Sequence, residues 1–361
     1  MSVQNEDFSQ RMVAILNAAA LNLAIAIGYR TRLFDVLARF RTPQTVSTIA
    51  AAAALNNRYV EEWLGVMTTG NIVAASCDGG GELKYHLPGA HAAVLTRAAG
   101  NANLAVYTQE IPLLTNCSLE AVVDAFQTGD GISYVHYPKF QAFMSELSNA
   151  KHRQVLVEKF LPSVDNGSMV SRLRQGIRVC DFGCGEGTAL MLMARAFPHS
   201  RFVGIDIAAE AIRKAKDDLE KKNIDNADFR IRDAAGIADD PALKASFDYI
   251  VAFDAIHDQT APLEALQGVR HMLAAGGIFS MIDIAANSGH AANKDHPLGP
   301  FLYTVSLMHC MPVGLVNGGA GLGMMWGREK AVSMLKKAGF ERIEVLEMPD
   351  DPFNLHYQCR N

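Results

Sequence analysis

The sequence predicts a chain of two kinds of architecture: a helical amino-terminal third that closes on a β-hairpin, and a carboxyl-terminal half built as a parallel α/β sheet. Three observations predict it. Apolar residues recur at helical spacing through residues 12–69 and then give way to a strand–turn–strand pattern. From residue 177 onward, short apolar strands alternate with amphipathic helices, the pattern of a parallel sheet. A cluster of glycines stands where the first of those strands turns into a helix.

The amino-terminal elements follow in order. Residues 12–28 are apolar, interrupted by Asn17 and Asn22, and marginal in length against the roughly 20 residues that span a bilayer. Glu6, Asp7 and Arg11 precede them instead of a cationic leader, so the expectation is a helix buried on most sides, set in a subunit interface. Leu33, Phe34, Val36 and Leu37 form a second helical stripe, which Thr42-Pro43 breaks. Val46, Ile49 and Ala50 share one helical phase, and Asn56-Asn57 caps a helix over 58–69 that ends before Gly70. Ile72-Val73-Ala74, a turn at Asp78-Gly79-Gly80-Gly81 and a strand over 83–87 complete a hairpin. Three helices and a two-stranded wing give the order of a winged helix, residues 1–100. Such a domain raises the question of DNA. Its helix in the recognition position sets Arg58 against Glu61 and Glu62, and residues 1–100 carry eight Lys/Arg against seven Asp/Glu. The clustered cations that phosphate contacts need are absent, so dimerisation and substrate shaping are expected and no nucleic acid.

Composition is that of an ordinary globular chain. Of 361 residues, 49% are hydrophobic and 20% charged, and a net charge of −5 offers no field for nucleic acid or anionic membranes. Six cysteines include no CxxC pair, which speaks against a disulfide scaffold or a zinc finger and for a reduced, cytoplasmic chain. Residues 101–175 read as a helical bridge with turns at 128–131 and 165–167. Within it, Tyr134, His136 and Tyr137 stand in an aromatic loop that either roofs a ligand pocket or staples two helices.

In the last part, strands are expected at 177–182, 201–207, 227–232, 247–253 and 278–284, with helices over 188–196, 209–222 and 262–273 between them. Asp181-Phe182-Gly183-Cys184-Gly185-Glu186-Gly187 falls at the first strand-to-helix turn, where glycines admit a ligand close to backbone and a helix start offers free N–H groups. Its spacing is GxGxG followed by Thr188, so the dinucleotide fingerprint is not met. Asp181 would repel a pyrophosphate and welcome an ammonium. Asp206 ends the second strand, placed to accept two ribose hydroxyls, and Asp233 ends the third, placed to accept from an adenine amino group beside the Ala234 backbone.

On these residues the chain resembles the class I S-adenosylmethionine-dependent methyltransferases, of the two-domain kind with an amino-terminal winged helix that includes small-molecule O-methyltransferases. The resemblance implies a Rossmann-like sheet over residues 176–361 and S-adenosyl-L-methionine as cofactor. It implies that Asp181 meets the methionyl ammonium, that Gly183, Gly185 and Gly187 line the cofactor, and that Asp206 holds the ribose. Ile207 joins the cofactor set, Asp233 and Ala234 face adenine, and Phe253 and Asp254 lie near the methionyl portion. In the plant-type O-methyltransferases a similarly placed His followed by Asp is the general base; His257 matches it, while Gln259 stands where that family has Trp. Asp258 either orients His257 or caps the next helix.

Residues 285–327 interrupt the alternation. They hold His290, His296, His309, Cys310, Met308 and Met311, in no metal-ligand spacing, so no metal is expected; Gly318 to Gly323 lacks the Lys-Ser/Thr of a P-loop. This insertion is expected to build the acceptor pocket with Tyr134 and Tyr137 above it and 307–310, including Met308 and His309, as one wall. A helix over 328–339 and a hairpin of 342–348 with 354–359 close the sheet. The expectation is therefore a cytoplasmic homodimer, joined through its amino-terminal helices, that methylates a small-molecule acceptor: an oxygen with His257 as base, or alternatively a thiol or an amine. A winged-helix regulator sensing a nucleoside, or a dehydrogenase, would be the rivals from other classes.

Overall fold

The computed structural model describes residues 7–77 and 79–361; Glu6 and Asp78, used above, lie outside the described residues. The chain divides into two compact units with the boundary between Leu113 and Leu114. That boundary falls inside the helix Glu110–Thr128, so the expected 101–175 bridge is shared between the two units.

In the first unit, Asp7 caps the helix Phe8–Arg30 by accepting the Ser9 N–H at 3.1 Å. Helices Leu33–Leu37, Val46–Ala53 and Asn57–Thr69 follow, the last capped by Asn56, which accepts from the Arg58 N–H at 2.9 Å. Strands β1 (Ala74–Cys77) and β2 (Leu83–His86) pair antiparallel as the wing. The first strand starts later than the sequence suggests because Ile72 and Val73 still donate to the Met67 carbonyl, extending the helix cap, while Val73 sinks into the core. That core gathers Phe34, Leu37, Ile49, Leu64 and Met67 around Trp63, whose indole N–H donates to the Ala24 carbonyl at 2.9 Å. Gly28 is required there: a Cβ would stand 2.4 Å from the Trp63 ring.

The helix Phe8–Arg30 is not buried on most sides of this chain: only Ala24, Ala26 and Gly28 are buried, and Phe8, Val13, Leu16 and Leu23 are exposed. Its second half is covered by Trp63, Phe34 and the segment Ala105–Gln109, where Asn22 donates to the Thr108 carbonyl at 3.1 Å, while residues 8–20 are exposed in this chain. Among the described residues it is the one helix long and apolar enough to cross a membrane by length and composition.

The second unit carries a seven-stranded sheet of β3 (Arg178–Phe182), β4 (Arg201–Asp206), β5 (Ala227–Ile231), β6 (Phe247–Phe253), β7 (Leu273–Ile284), β8 (Arg342–Met348) and β9 (Asp351–Arg360). The order is β5-β4-β3-β6-β7-β9-β8, parallel through β7 and antiparallel in the closing hairpin. Residues alternate between two apolar layers: Tyr249 and Val251 of β6 enter one, Ile250 and Ala252 the other. Helices Thr188–Ala196, Ala209–Lys222, Pro262–Met272 and Arg328–Lys337 belong to these layers. Strand β7 begins earlier than expected, at Leu273, which pairs with Phe247; the register shifts between Phe247 and Tyr249, opposite the segment where Gly276 has φ +69°. The strand order reverses between β3 and β6, and the crevice beyond the carboxyl ends of the strands there is where open α/β sheets take ligands.

Candidate active site

The chain turns tightly at the end of β3. Gly183 and Cys184 N–H both donate to the Ile205 carbonyl, at 2.9 and 3.1 Å, holding the loop over β4. Asp206 fastens it: one carboxylate oxygen accepts from Gly185 N–H and the other from Ala208 N–H, each at 2.8 Å. Each oxygen keeps a lone pair, so a ribose hydroxyl can still be accepted. Two glycines matter for different reasons. Gly187 has φ +74°, and a Cβ there would stand 2.1 Å from the Phe229 ring. Gly185 has φ +51° and would meet nothing within 4 Å, so it faces open space. Gly183 packs against Ala255.

Asp181 lies beneath this loop, 2% exposed. Burial raises its carboxyl to about 7, with the charge of Asp206 adding to the effect. A cationic ligand would offset that cost and return the carboxylate. Ile207, 61% exposed, sets an apolar side chain just beyond Asp206. Asp233 is exposed at the end of β5, where it accepts from Ala235 N–H at 3.0 Å and caps the 3₁₀ turn Ala234–Asp239. Phe253 ends β6 with its ring 4.6 Å from that of His152. Asp254 follows in a left-handed conformation, φ +49°, and accepts from the Asn354 amide at 3.3 Å. A buried carboxylate for an ammonium, a glycine loop open to a close approach, a second carboxylate with free lone pairs and an exposed isoleucine form a set that fits S-adenosylmethionine.

Beyond Asp254 the chain brings His257 under cover, 3% exposed. Its Nδ1 lies 2.8 Å from Asp283, a fully buried residue of β7 that also accepts the Ile284 N–H at 2.8 Å. Its Nε2 lies 3.5 Å from Asp258, whose other oxygen accepts from the Tyr134 hydroxyl at 2.9 Å. Burial alone would lower the imidazole pKa; Asp283 and Asp258, with a hydrogen bond to Cys310, reverse this and hold it well above the ordinary value. Asp283 has no counterpart among the sequence candidates. Its only sequence signal is an acidic residue inside an otherwise apolar strand.

The segments facing His257 come from far along the chain. Helix Gly299–Val305 widens into a π-turn, Ser306–Cys310, then resumes as Met311–Gly314. The cause is Pro312, which has no N–H for the Met308 carbonyl four residues back. Tyr137 and Ser118 hydroxyls donate to that carbonyl instead, at 2.9 and 3.1 Å. The wider turn sets Met308, His309 and Cys310 inward, while Leu307 is the exposed member. The His309 ring is 4.7 Å from that of Tyr137, 4.8 Å from Phe140 and 5.8 Å from Tyr134. Tyr134 thus reaches the Asp258 carboxylate, whereas Tyr137, fully buried, fixes the π-turn. The Gly318–Gly323 run closes on the turn after His257: Ala320 N–H donates to the Thr260 carbonyl at 2.8 Å. His296 contacts backbone, its Nε2 3.0 Å from the Ala285 carbonyl.

Comparison with known proteins places these parts. Residues 173–339 match the model of a methyltransferase domain, and residues 19–97 match that of an Rv2258c-like winged HTH domain. Erythromycin 3''-O-methyltransferase of Saccharopolyspora erythraea is 24% identical over 50% of this chain and 55% of its own. Trans-aconitate 2-methyltransferase of Afipia carboxidovorans is 30% identical over 21% of this chain and 29% of its own. The chain therefore spans about a third to a half of these curated relatives. Human N-acetylserotonin methyltransferase in complex with SAM superposes with a TM-score of 0.63 at 16% identity, covering 100% of this chain and 99% of that one. An O-methyltransferase family protein from Burkholderia thailandensis gives 0.65 at 13%, covering 98% of each. At these identities the structural likeness is one of fold.

Proposed function

We propose that this chain, a class I S-adenosylmethionine-dependent methyltransferase with an amino-terminal winged helix, transfers the methyl group to a hydroxyl oxygen of a small molecule with His257 as proton acceptor. The single observation that carries the choice of oxygen is the buried His257–Asp283 pair at 2.8 Å, placed just past the cofactor crevice. The cofactor supplies an electrophilic methyl on a sulfonium, whose thioether leaves neutral. With the cofactor bound, methylation of the acceptor oxygen would release its hydroxyl proton, and His257 Nε2 would take it. Asp283 fixes the tautomer and shares the imidazolium charge. Asp181, Gly183, Gly185, Gly187, Asp206, Ile207, Asp233, Ala234, Phe253 and Asp254 hold the cofactor; Tyr134, Met308 and His309 bound the acceptor, and Tyr137 holds that wall in place.

A raised imidazole pKa has a kinetic consequence. The base works only when neutral, so kcat/KM falls as pH drops through its pKa, and Asp258 and Asp283 place that limb above the usual value near 6.5. Removing one carboxylate in Asp258→Asn should move the limb to lower pH. A pH profile with no ascending limb, or one unmoved in Asp258→Asn, would falsify the role of His257. A labelled-methyl assay against phenols, thiols and amines tests the acceptor class; turnover confined to thiols would favour S-methylation.

The assembly belongs to the same proposal. The exposed apolar side of the helix Phe8–Arg30 supports a homodimer through the amino-terminal helices. Arg58 is paired with Glu62 and lies 3.8 Å from Glu61, which supports a winged helix that does not read DNA. Six free cysteines support a reducing, cytoplasmic setting.

A further inference from the structure

The turn after β6 and the π-turn bring three donor atoms of different chemistry together. One ligand atom each from His257, Asp258 and Cys310 lie within 4.8 Å of one another. His257 Nε2 and Asp258 Oδ1 are 3.5 Å apart, close to the separation of two ligands on a tetrahedral ion with bonds of about 2.0–2.2 Å. Their outward atoms are already fixed, His257 Nδ1 by Asp283 at 2.8 Å and Asp258 Oδ2 by Tyr134 at 2.9 Å. An imidazole whose second nitrogen meets a buried carboxylate is the arrangement that orients metal-bound histidines. Asp258 Oδ1 is buried with no partner in hydrogen-bond geometry, its neighbours being His257 Nε2 at 3.5 Å and the Cys310 thiol, the same two groups that complete the set. Linear spacing conceals the set, because Cys310 reaches it only through the π-turn that Pro312 imposes.

We propose that His257, Asp258 and Cys310 form a three-ligand site for a divalent cation of the Zn²⁺ class, and that filling it removes the imidazole from proton transfer. The donors are imidazole nitrogen, thiolate sulfur and carboxylate oxygen, a mixture that favours zinc over magnesium or calcium. Three protein ligands leave a fourth position for water or an acceptor. Loading forms a metal–sulfur bond at Cys310 and a metal–nitrogen bond at His257 Nε2; any protons on those atoms go to solvent, and nothing is oxidised or reduced. The silencing rests on His257 being the base; the site itself does not. The same distances also suit a metal-free Asp–His–Asp chain beside a thiol, and a spectroscopic metal separates the two.

Enzyme stripped with chelator is titrated with Co²⁺. The expected result is one Co²⁺ per chain, with a thiolate-to-metal charge-transfer band in the near ultraviolet, visible bands of tetrahedral intensity, and displacement by Zn²⁺. Cys310→Ser should lose the near-ultraviolet band, and Asp283→Asn should keep it while binding about 10–100-fold more weakly. Calorimetric binding of S-adenosylmethionine reports that each variant is folded. Zn²⁺ should lower wild-type turnover at least tenfold. No thiolate band, or a band that survives Cys310→Ser, overturns the site. A band accompanied by rising turnover keeps the site and overturns both the silencing and the base. If the band is missing while His257→Ala still abolishes turnover, the metal fails and the base stands.

Discussion

The two sides of the crevice are built from different distances along the chain. On the cofactor side, Asp181, Asp206 and Asp233 stand at or just past strand ends and are held by backbone N–H groups: Ala208 and Ala235 two residues from their aspartates, and Gly185 from the neighbouring strand's turn. On the acceptor side, Tyr134, His257, Asp283 and Cys310 come from four separate segments, joined by side-chain contacts. The first side is a property of turns, the second of packing. Substitutions on the first should therefore change binding or folding, and those on the second should change the chemical step.

His257→Ala tests that division most severely. Loss of a general base should lower kcat by about 10²–10⁴-fold while calorimetric cofactor affinity stays within twofold. If affinity collapses too, the two sides are not separable. On the opposite side, Gly187→Ala sets a Cβ against Phe229 at positive φ, so thermal unfolding should show a loss of about 1–3 kcal/mol. Asp181 offers a titration. An ammonium binds its ionised form, so affinity should be flat above its pKa of about 7 and weaken below it, approaching about tenfold per pH unit. Asp181→Asn should flatten that slope; a slope unchanged in the variant assigns it elsewhere. Smallest is Tyr137→Phe, which leaves the Met308 carbonyl with Ser118 alone and should cost about 1 kcal/mol of stability.

Much of the fold was legible because its signals are local. Strands β3, β4, β5 and β6 lie within a residue of their expected limits. Strand β7 was misplaced at its start because Gly276-Gly277 reads as a break, whereas Leu273 pairs with Phe247 across an irregular register. The helix Phe8–Arg30 reads as apolar and covered in a subunit interface; within this chain only its second half is covered, and residues 8–20 are exposed. Asp283 escaped notice because an acidic residue in a buried strand carries no meaning until its partner is known. Tyr137 illustrates the opposite limit: sequence left it open between roof and staple, and its hydroxyl is fixed by the carbonyl that Pro312 leaves without a donor.

By itself the sequence determined the order of strands and helices, the glycine turn after β3 and the acidic residues at the strand ends. These depend on apolar periodicity and on backbone conformations that few residue types adopt. Only the tertiary structure decided that His257 is held between Asp283 and Asp258, and that Cys310 faces the same imidazole. Asp283 and Cys310 lie far from His257 along the chain, unlike the adjacent Asp258, and sheet pairing and a proline-induced π-turn set their distances.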